Sequence, residues 1–343
     1  MESEGLLIVR GDEVAELLAG REREVIAIVR RAYLAHGSGH SMLPHSTFLQ
    51  FPDDEVNRII ALPAFLGGGF DLAGIKWIAS FPGNVQRGAA RASAVLVLNS
   101  CVTGHAEAVL EGSVISAKRT AASAAAAADV LLAGRAPSAV GLIGTGLINF
   151  EIARFLRAAF PGLDCFRLFD LDTGRAERFA GALRRDLGVA RVEVAREPAA
   201  VLAASPLVAL ATTAVRPHID DLSVCPTGAV LLHVSLRDIA PRAILACDNV
   251  VDDPDHVCRA RTSVHLAEQV SGSRSFIRCT LADILAGRAP ARPDPAARVV
   301  FSPFGLGVLD LALAQLVVQG ARAGGKGIVV ANFLGMAGGA GGS

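Results

Sequence analysis

A pair of glycines at the end of an apolar run is the first pattern in this sequence that could do chemistry. The run AVGLI ends at residue 143, and a helical pattern follows the glycines directly. Glycines at such a strand-to-helix turn let backbone N–H groups approach a pyrophosphate at the helix N-terminus. The pattern therefore predicts a dinucleotide site. The residues expected to contact the cofactor here are Gly144, Thr145, Gly146, Leu147 and Ile148.

A carboxylate follows the next apolar run, CFRLF (165–169). Asp170 stands 26 residues after Gly144, near the spacing of about 20 at which an acid binds the adenosine ribose. Such a carboxylate accepts hydrogen bonds from both ribose hydroxyls and repels a 2′-phosphate, so NAD is favoured over NADP. Arg175 nearby keeps NADP as an alternative, and Asn149 departs from the Gly or Ala that is commonest at its position. A tight turn without a ligand is the competing interpretation.

Asp238 is the candidate acid or base, because it follows an apolar strand and should lie at the carboxyl edge of the sheet. A carboxylate there can exchange a proton or stabilise the positive charge that develops as a hydride leaves. The alternative is a cap for the helix that starts at Pro241. Further cofactor contacts are expected from Thr120, Thr212, Thr213 and Ser235. Of the nearby histidines, His233 is interpreted as a hydrogen-bonded core residue, and no partner is identified for His218.

Three cations could bind carboxylates. Arg58 and Lys76 project from predicted strands, and Arg119 lies in the first turns of a helix, where the macrodipole disfavours a positive charge unless an anion binds. A guanidinium holds a carboxylate with two parallel hydrogen bonds. His45 lies near the same strands and is a weaker candidate. For each of these residues the alternative is a solvated surface group.

The elements that must position these residues fall into two regions. Strands are expected at 139–143, 165–169, 191–194, 206–211, 229–234 and 248–252, alternating with helices, and this alternation predicts a parallel sheet. Between residues 46 and 98 apolar residues recur at nearly every second position, which favours a mixed, mainly antiparallel region of strands. An Ala-rich helix over 113–134 connects the regions, and a helix over 308–320 returns to the first.

Composition excludes several classes of protein. The chain has 343 residues, enough for about two domains. Its 33 Lys and Arg balance 33 Asp and Glu, so neither nucleic acid nor an anionic membrane is an expected partner. No apolar run reaches the roughly 18 residues of a membrane span, and no cluster has metal-ligand spacing. The start lacks a signal-peptide pattern, which favours the cytoplasm, and the glycine-rich end (335–343) is expected to be flexible.

Several ordered segments of the chain are NRIIALP (57–63), GIKWIAS (74–80), RASAVLVLN (91–99), SAKRTAAS (116–123) and the glycine turn at 144–146. Together they resemble one known family, the ornithine cyclodeaminase/mu-crystallin family. The resemblance runs from about residue 6 to 325. It implies an α/β fold and a homodimer. A Rossmann-type doubly wound domain would span 129–304, and an α+β substrate and dimerisation domain would be formed by both chain ends, 1–128 and 305–343.

Within this family, the chain most resembles the NAD-dependent branch that oxidises N-(2-amino-2-carboxyethyl)-L-glutamate. That resemblance implies hydride loss, imine hydrolysis, and release of 2-oxoglutarate and L-2,3-diaminopropionate. It implies that Arg58, Lys76 and Arg119 contact the substrate or lie beside the nicotinamide, and it makes Asp238 and Lys76 catalytic. Cyclodeaminases read Asp-Cys-Pro-Gly-Lys where this chain has DIAPR (238–242), which disfavours ring closure. Cyclodeaminase or ketimine reductase activity, and a nucleotide-binding role like that of mu-crystallin, remain the alternatives.

Overall fold

A computed structural model of the protein describes residues 5–334, except the side chain of Glu55. The predicted flexible end, 335–343, lies outside the described residues. The helices, in chain order, are α1 (Gly11–Leu17), α2 (Glu22–Gly37), α3 (Ser113–Leu131), α4 (Leu147–Ala159), α5 (Thr173–Leu187), α6 (Pro198–Ala204), α7 (Pro241–Leu245), α8 (Pro254–Val257), α9 (Ser263–Ser271), α10 (Leu281–Leu285) and α11 (Gly307–Ala323). A short 3₁₀ helix spans Pro82–Arg87.

The strands of the described residues are β1 (Leu6–Val9), β2 (Ser41–Met42), β3 (Thr47–Phe51), β4 (Asp54–Leu66), β5 (Leu72–Ser80), β6 (Ala92–Asn99), β7 (Ala106–Glu111), β8 (Val140–Ile143), β9 (Cys165–Phe169), β10 (Arg191–Val194), β11 (Leu207–Leu210), β12 (Val230–His233), β13 (Asp248–Val251), β14 (Ile277–Thr280), β15 (Val299–Ser302) and β16 (Ile328–Val330). They form two sheets of eight strands each.

The first sheet is mainly antiparallel. Its strand order is β16-β1-β7-β6-β5-β4-β2, with β3 paired to β4, and only β1 and β7 run parallel. Strand β1 therefore joins the N-terminal part of the chain to β16 near the C-terminus. Helix α11 packs on β4, β5 and β6 and covers one face of the sheet.

The second sheet is parallel throughout, in the order β10-β9-β8-β11-β12-β15-β13-β14. Its central strands are buried along their whole length, because helices cover both faces of such a sheet. This is a Rossmann-type, doubly wound arrangement, so the predicted α/β fold class is confirmed. The six predicted strands match β8 to β13, whereas β14 and β15 were not predicted from the sequence.

The chain divides into two compact units. The first unit contains the residues up to Gly20, Gly39–Ser116 and the residues from Gly307 onward; the second contains Arg21–Ser38 and Ala117–Leu306. Relative to the predicted boundaries, α2 and most of α3 lie in the second unit. The physical reason is that α2 packs on α4 and α10, and the buried Tyr33 hydroxyl lies 2.7 Å from Ser123 Oγ in α3.

The Ala-rich helix α3 is buried, as its composition predicts. Ala121, Ala122 and the run from Ala124 to Ala128 have no exposed surface. Methyl side chains let neighbouring elements approach the helix from several directions. The charged residues of its first half, Lys118 and Arg119, are also buried, so Arg119 is no solvated surface group.

Candidate active site

The glycine turn lies between β8 and α4, where the sequence predicted it. Gly144 has φ +87°, and a Cβ there would lie 2.6 Å from the Ala211 carbonyl oxygen, so only glycine fits. A Cβ on Gly146 would meet no atom within 4 Å. Helix α4 starts after Gly146 without a side-chain cap, and its first N–H groups have no partner within the helix. The turn therefore fits an anionic group such as a pyrophosphate.

The hydrogen bonds of Asn149 explain how it can replace the Gly or Ala that is commonest at its position. Its side chain is buried, and Nδ2 donates to the carbonyl oxygens of Ile143, at 3.0 Å, and Gly144, at 2.6 Å. The amide thus fastens the start of α4 to the end of β8. A third glycine usually allows these two elements to pack closely, and here a hydrogen-bonded side chain holds them together.

Asp170 lies directly after β9 and faces the glycine turn. One carboxylate oxygen accepts from the Thr145 N–H at 2.8 Å and from the Thr145 hydroxyl at 2.7 Å, and the other accepts from the Asp172 N–H at 3.0 Å. Burial raises the pKa of Asp170, but these hydrogen bonds and the charge of Arg175 outweigh that effect and lower it. Each oxygen has two lone pairs, so the ionised group retains acceptor capacity for a ligand hydroxyl.

Asp238 is fully buried beyond the carboxyl end of β12. The hydroxyls of Thr212 and Ser235 each donate to one of its carboxylate oxygens, and His233 Nε2 lies 3.4 Å from Oδ2. Burial raises the pKa of Asp238, but the hydrogen bonds from His233, Ser235 and Thr212 and the charge of His233 hold it at about 2. The group is therefore a fixed negative charge. The N-cap position of helix α7 is Ala240, and no side chain caps the helix, so Asp238 is not its cap.

Both histidines of this region contact Asp238. His233 is fully buried, with Nδ1 3.2 Å from Ser302 Oγ, as expected for a hydrogen-bonded core residue. For His218, for which the sequence identified no partner, the structure shows one in Asp238. The His218 Nε2 atom lies 4.0 Å from Asp238 Oδ1, and the His218 N–H donates to the Asp238 carbonyl at 2.8 Å. Arg242, by contrast, does not contact Asp238 but lies at the surface, where its Nη2 atom is 3.4 Å from Asp220 Oδ1.

Arg119 lies against the loop that follows β15. Gly305 has φ +94°, and a Cβ there would lie 2.7 Å from Arg119 Nη1, so glycine lets the guanidinium approach the backbone. The same loop is anchored by Asp252, which accepts from the N–H groups of Phe304, at 2.9 Å, and Gly305, at 2.7 Å. Complete burial raises the pKa of Asp252 to about 6 despite these bonds. No pattern in the sequence predicted that Asp252 would anchor this loop.

Lys76 has an acidic partner that the sequence did not reveal. The lysine is 2% exposed and donates to Asp310 Oδ2 of α11 at 2.6 Å and to Ser116 Oγ at 3.2 Å. Asp310 itself has no exposed surface. A buried ion pair of this kind fixes the position of both charges. Lys76 is therefore not the solvated surface charge that was its alternative interpretation.

The remaining candidate site residues are Arg58, His45, Thr213 and Thr120. Arg58 is half-buried on β4, and its Nε is withdrawn from solvent without a hydrogen-bond partner among the described residues. His45 is exposed between β2 and β3, and Thr213 is exposed after β11. Thr120 is half-buried in α3. In residues 5–334 no helix is long and apolar enough to cross a membrane, and no three His, Cys, Asp or Glu side chains are grouped as metal ligands.

The chain is similar to several known proteins. The chain is 27% identical over 332 residues to N-((2S)-2-amino-2-carboxyethyl)-L-glutamate dehydrogenase of Staphylococcus aureus, covering 94% of this chain and 97% of that protein. The reductase for Δ1-pyrroline-2-carboxylate from Thermococcus litoralis, solved with NADH and L-proline, has a TM-score of 0.87 at 23% identity. That match covers 94% of this chain and all of the other.

An archaeal alanine dehydrogenase, solved as a dimer with bound NAD, has a TM-score of 0.85 at 23% identity and covers 96% of this chain and 99% of its own. The model of the ornithine cyclodeaminase/mu-crystallin family matches residues 12–325, which confirms the resemblance stated from the sequence. This protein is a member of the ornithine cyclodeaminase/mu-crystallin family.

Proposed function

We propose that the protein is an NAD-dependent dehydrogenase that converts N-(2-amino-2-carboxyethyl)-L-glutamate and water into L-2,3-diaminopropionate and 2-oxoglutarate. The observation that carries this proposal is the buried, ionised Asp238 at the carboxyl end of a Rossmann-type sheet. The glycine turn and Asp170 support the cofactor, as does the fold shared with two enzymes solved with NAD or NADH. The dehydrogenase relative supports the substrate.

The proposed roles of the residues follow from the chemistry. When bound, NAD supplies the acceptor for a hydride. Loss of that hydride from the glutamate α-carbon leaves a positively charged C=N bond, which the negative charge of Asp238 stabilises. Asp238 also accepts a hydrogen bond from the substrate amine or from the water that adds to the imine carbon. The C–N bond then breaks, so the diamine leaves and the carbonyl compound is 2-oxoglutarate.

Substrate binding is assigned to the cations. The substrate carries three carboxylates, and Arg58, Lys76 and Arg119 are proposed to bind them, with His45 in a weaker supporting role. Arg119 and Lys76 are held in place by Gly305 and Asp310, so little side-chain entropy is lost when an anion binds. The proposed cofactor contacts are the turn residues Gly144 to Ile148, Asp170, Thr120, Thr212, Thr213 and Ser235.

The test is NADH absorbance after the purified protein is mixed with NAD and N-(2-amino-2-carboxyethyl)-L-glutamate, with L-ornithine and L-alanine in parallel cuvettes. We expect NADH and 2-oxoglutarate in equal amounts with the first substrate. Proline and ammonia from ornithine, without net NADH, would instead identify a cyclodeaminase. NADH from alanine alone would identify a different dehydrogenase, and tight NADH binding without turnover of any substrate would favour a binding protein.

Asp170 is expected to set the choice of cofactor. Because its carboxylate hydrogen-bonds ribose hydroxyls and repels a 2′-phosphate, Asp170→Asn should shift the ratio of NADPH to NADH affinity toward NADPH by about 10-fold or more. Fluorescence titration of both cofactors measures this ratio. Asp186→Asn makes the same change at a surface residue paired with Arg185 and should leave the ratio unchanged. An unaltered ratio in Asp170→Asn would remove this residue from cofactor selection.

We propose a homodimer because the face of the first sheet that α11 does not cover carries exposed apolar residues. The strand register places Trp77 of β5 opposite Val95 of β6. Ile59 of β4 lies on the same face of the sheet, and Leu49 of β3 is opposite Ile59. Trp77, Val95 and Leu49 are 42%, 45% and 45% exposed in the single chain. Exposed apolar residues that are contiguous mark an interaction surface, and the dimeric alanine dehydrogenase shares this fold.

Trp77→Asp is therefore expected to convert a dimer into a monomer, because a charge would be buried without a partner at the interface. Light scattering after size-exclusion chromatography measures the mass. Val102→Asp is the matched control, since Val102 is 94% exposed in a loop outside this face and its variant should stay dimeric. A dimeric Trp77→Asp protein would place the interface elsewhere.

A further inference from the structure

His218 lies in the loop that follows β11, at the carboxyl edge of the parallel sheet. The loop starts beside the glycine turn, because the Ala211 N–H donates to the carbonyl oxygen of Ile143 at the end of β8. Open parallel sheets bind their ligands outside the carboxyl ends of the strands. The loop that carries His218 therefore borders the proposed cofactor site.

Backbone hydrogen bonds hold this loop beside Asp238. The N–H groups of His218 and Ile219 both donate to the Asp238 carbonyl oxygen, at 2.8 and 2.9 Å. The Ala240 N–H donates in turn to the Ile219 carbonyl oxygen at 2.8 Å. The His218 Nε2 atom then lies 4.0 Å from Asp238 Oδ1, so the imidazole is next to the carboxylate to which the proposed function assigns charge stabilisation. Because these hydrogen bonds use the backbone, a substitution of the imidazole should leave the loop in place.

The His218 side chain is accessible, whereas the other histidine beside Asp238 is not. His218 is 42% exposed, but the side chains of His233 and Asp238 have no exposed surface. His233 is held between Asp238 and Ser302 in the interior. Histidine is the side chain whose ordinary protonation equilibrium lies nearest to neutral pH. His218 is therefore the proton-exchanging group of this cluster that a bound substrate or a water molecule can reach.

Hydrolysis of an imine needs a group that both takes up and releases a proton. The water molecule must lose a proton when its oxygen bonds to the imine carbon, and the nitrogen must gain one before the C–N bond breaks. Asp238, with a pKa of about 2, stays ionised near neutral pH and does not carry a proton there. An imidazole can act as base and then as acid in the same reaction.

We propose that His218 is the general base and general acid of the imine hydrolysis. It takes a proton from water as the water oxygen bonds to the imine carbon, and it gives this proton to the nitrogen. It then takes the proton of the new hydroxyl group as the carbonyl group forms and the C–N bond breaks, with the bonding pair left on the nitrogen. This second proton passes to the released amine, which leaves as an ammonium ion. This inference rests on the proposed function, because it assigns the hydrolytic step at the same site.

The experiment separates oxidation from hydrolysis. Stopped-flow absorbance follows NADH after the protein is mixed with NAD and N-(2-amino-2-carboxyethyl)-L-glutamate. For His218→Gln we expect a first turnover of NADH at a rate within about 3-fold of the wild-type value, because oxidation precedes the step in which His218 acts. The steady-state rate should then be about 10²–10³-fold lower than in the wild-type protein, the usual contribution of a general acid or base.

His105→Gln is the matched control, since His105 is exposed in the loop before β7, and it should keep both rates. Thermal unfolding should show that the variants are folded. His218→Ala removes the imidazole at an accessible position, so its steady-state rate should rise with the concentration of free imidazole in the buffer. The wild-type rate should not respond to imidazole. A histidine with only a structural role would show no such rescue.

A wild-type steady-state rate in His218→Gln, an equal loss of the first turnover and the steady state, or a lack of rescue by imidazole would overturn the inference. If the wild-type protein oxidises L-alanine instead, the proposed substrate fails. The same comparison with L-alanine then tests His218, because oxidative deamination also ends in imine hydrolysis. Turnover of L-ornithine alone without net NADH, which needs no water, or no turnover of any of the three substrates would overturn both proposals.

Discussion

Asp238→Asn is expected to lower kcat on the order of 10³-fold while the Kd for NADH stays within about 2-fold of the wild-type value. The substitution keeps the size of the side chain but removes the fixed negative charge that the iminium-like transition state requires. The hydroxyls of Thr212 and Ser235 can rotate to hydrogen-bond an amide, so the local fold should survive. Stopped-flow absorbance and fluorescence titration measure the two quantities.

The matched control is Asp220→Asn, an exposed aspartate that pairs with Arg242 at the surface, and its kcat should be unchanged. Because the pKa of Asp238 is about 2, the residue stays ionised above pH 4. Lowering the pH from 8 to 5 should therefore not reproduce the loss seen in Asp238→Asn. Equal kcat in Asp238→Asn and the wild-type protein would exclude the carboxylate from the reaction.

Asp310→Asn should be the most destabilising of these substitutions, at about 3–5 kcal/mol. It removes the carboxylate charge that lies 2.6 Å from the buried Lys76 ammonium group. Denaturant unfolding followed by circular dichroism measures the loss, and thermal unfolding gives an independent midpoint. Glu16→Gln is the matched control, since the Glu16–Lys326 pair is almost as short, 2.7 Å, but exposed. Exposed pairs contribute at most about 1 kcal/mol.

A double variant separates folding from function. Lys76→Met combined with Asp310→Leu removes both charges, and apolar residues of similar volume commonly replace a buried ion pair without loss of stability. We expect the unfolding midpoint to recover and the turnover to stay low, because Lys76 is proposed to act on the substrate. Recovery of both stability and turnover would show that the pair is only structural.

The sequence predicted the parallel sheet well where its strands are apolar runs. β8, β11 and β12 fall within the predicted segments because a strand buried on both faces must be apolar along its length. β14 reads IRCT and is half-buried at the sheet edge, so its pattern does not differ from that of a loop. β15 reads VVFS and is buried, but it directly follows the Pro- and Ala-rich segment 288–298, whose composition is typical of a linker.

The candidate site could be predicted only where local pattern and position coincide. The glycine turn and Asp238 follow apolar strands, so the sheet topology alone gives their place. The partner of Lys76 is 234 residues away in the sequence, and no periodicity links such distant residues. His218 reaches Asp238 through the path of a loop.

The pairing of Leu6 with Val330 has a consequence for folding. The second unit is formed by Arg21–Ser38 and one long continuous segment. The first sheet also needs β16 and the covering helix α11, which follow that whole segment in the sequence. Closing contacts across nearly the whole chain carries a large entropic cost and slows folding. The second unit can therefore form before the first sheet, which carries Lys76 and is complete only when β16 and α11 have joined it.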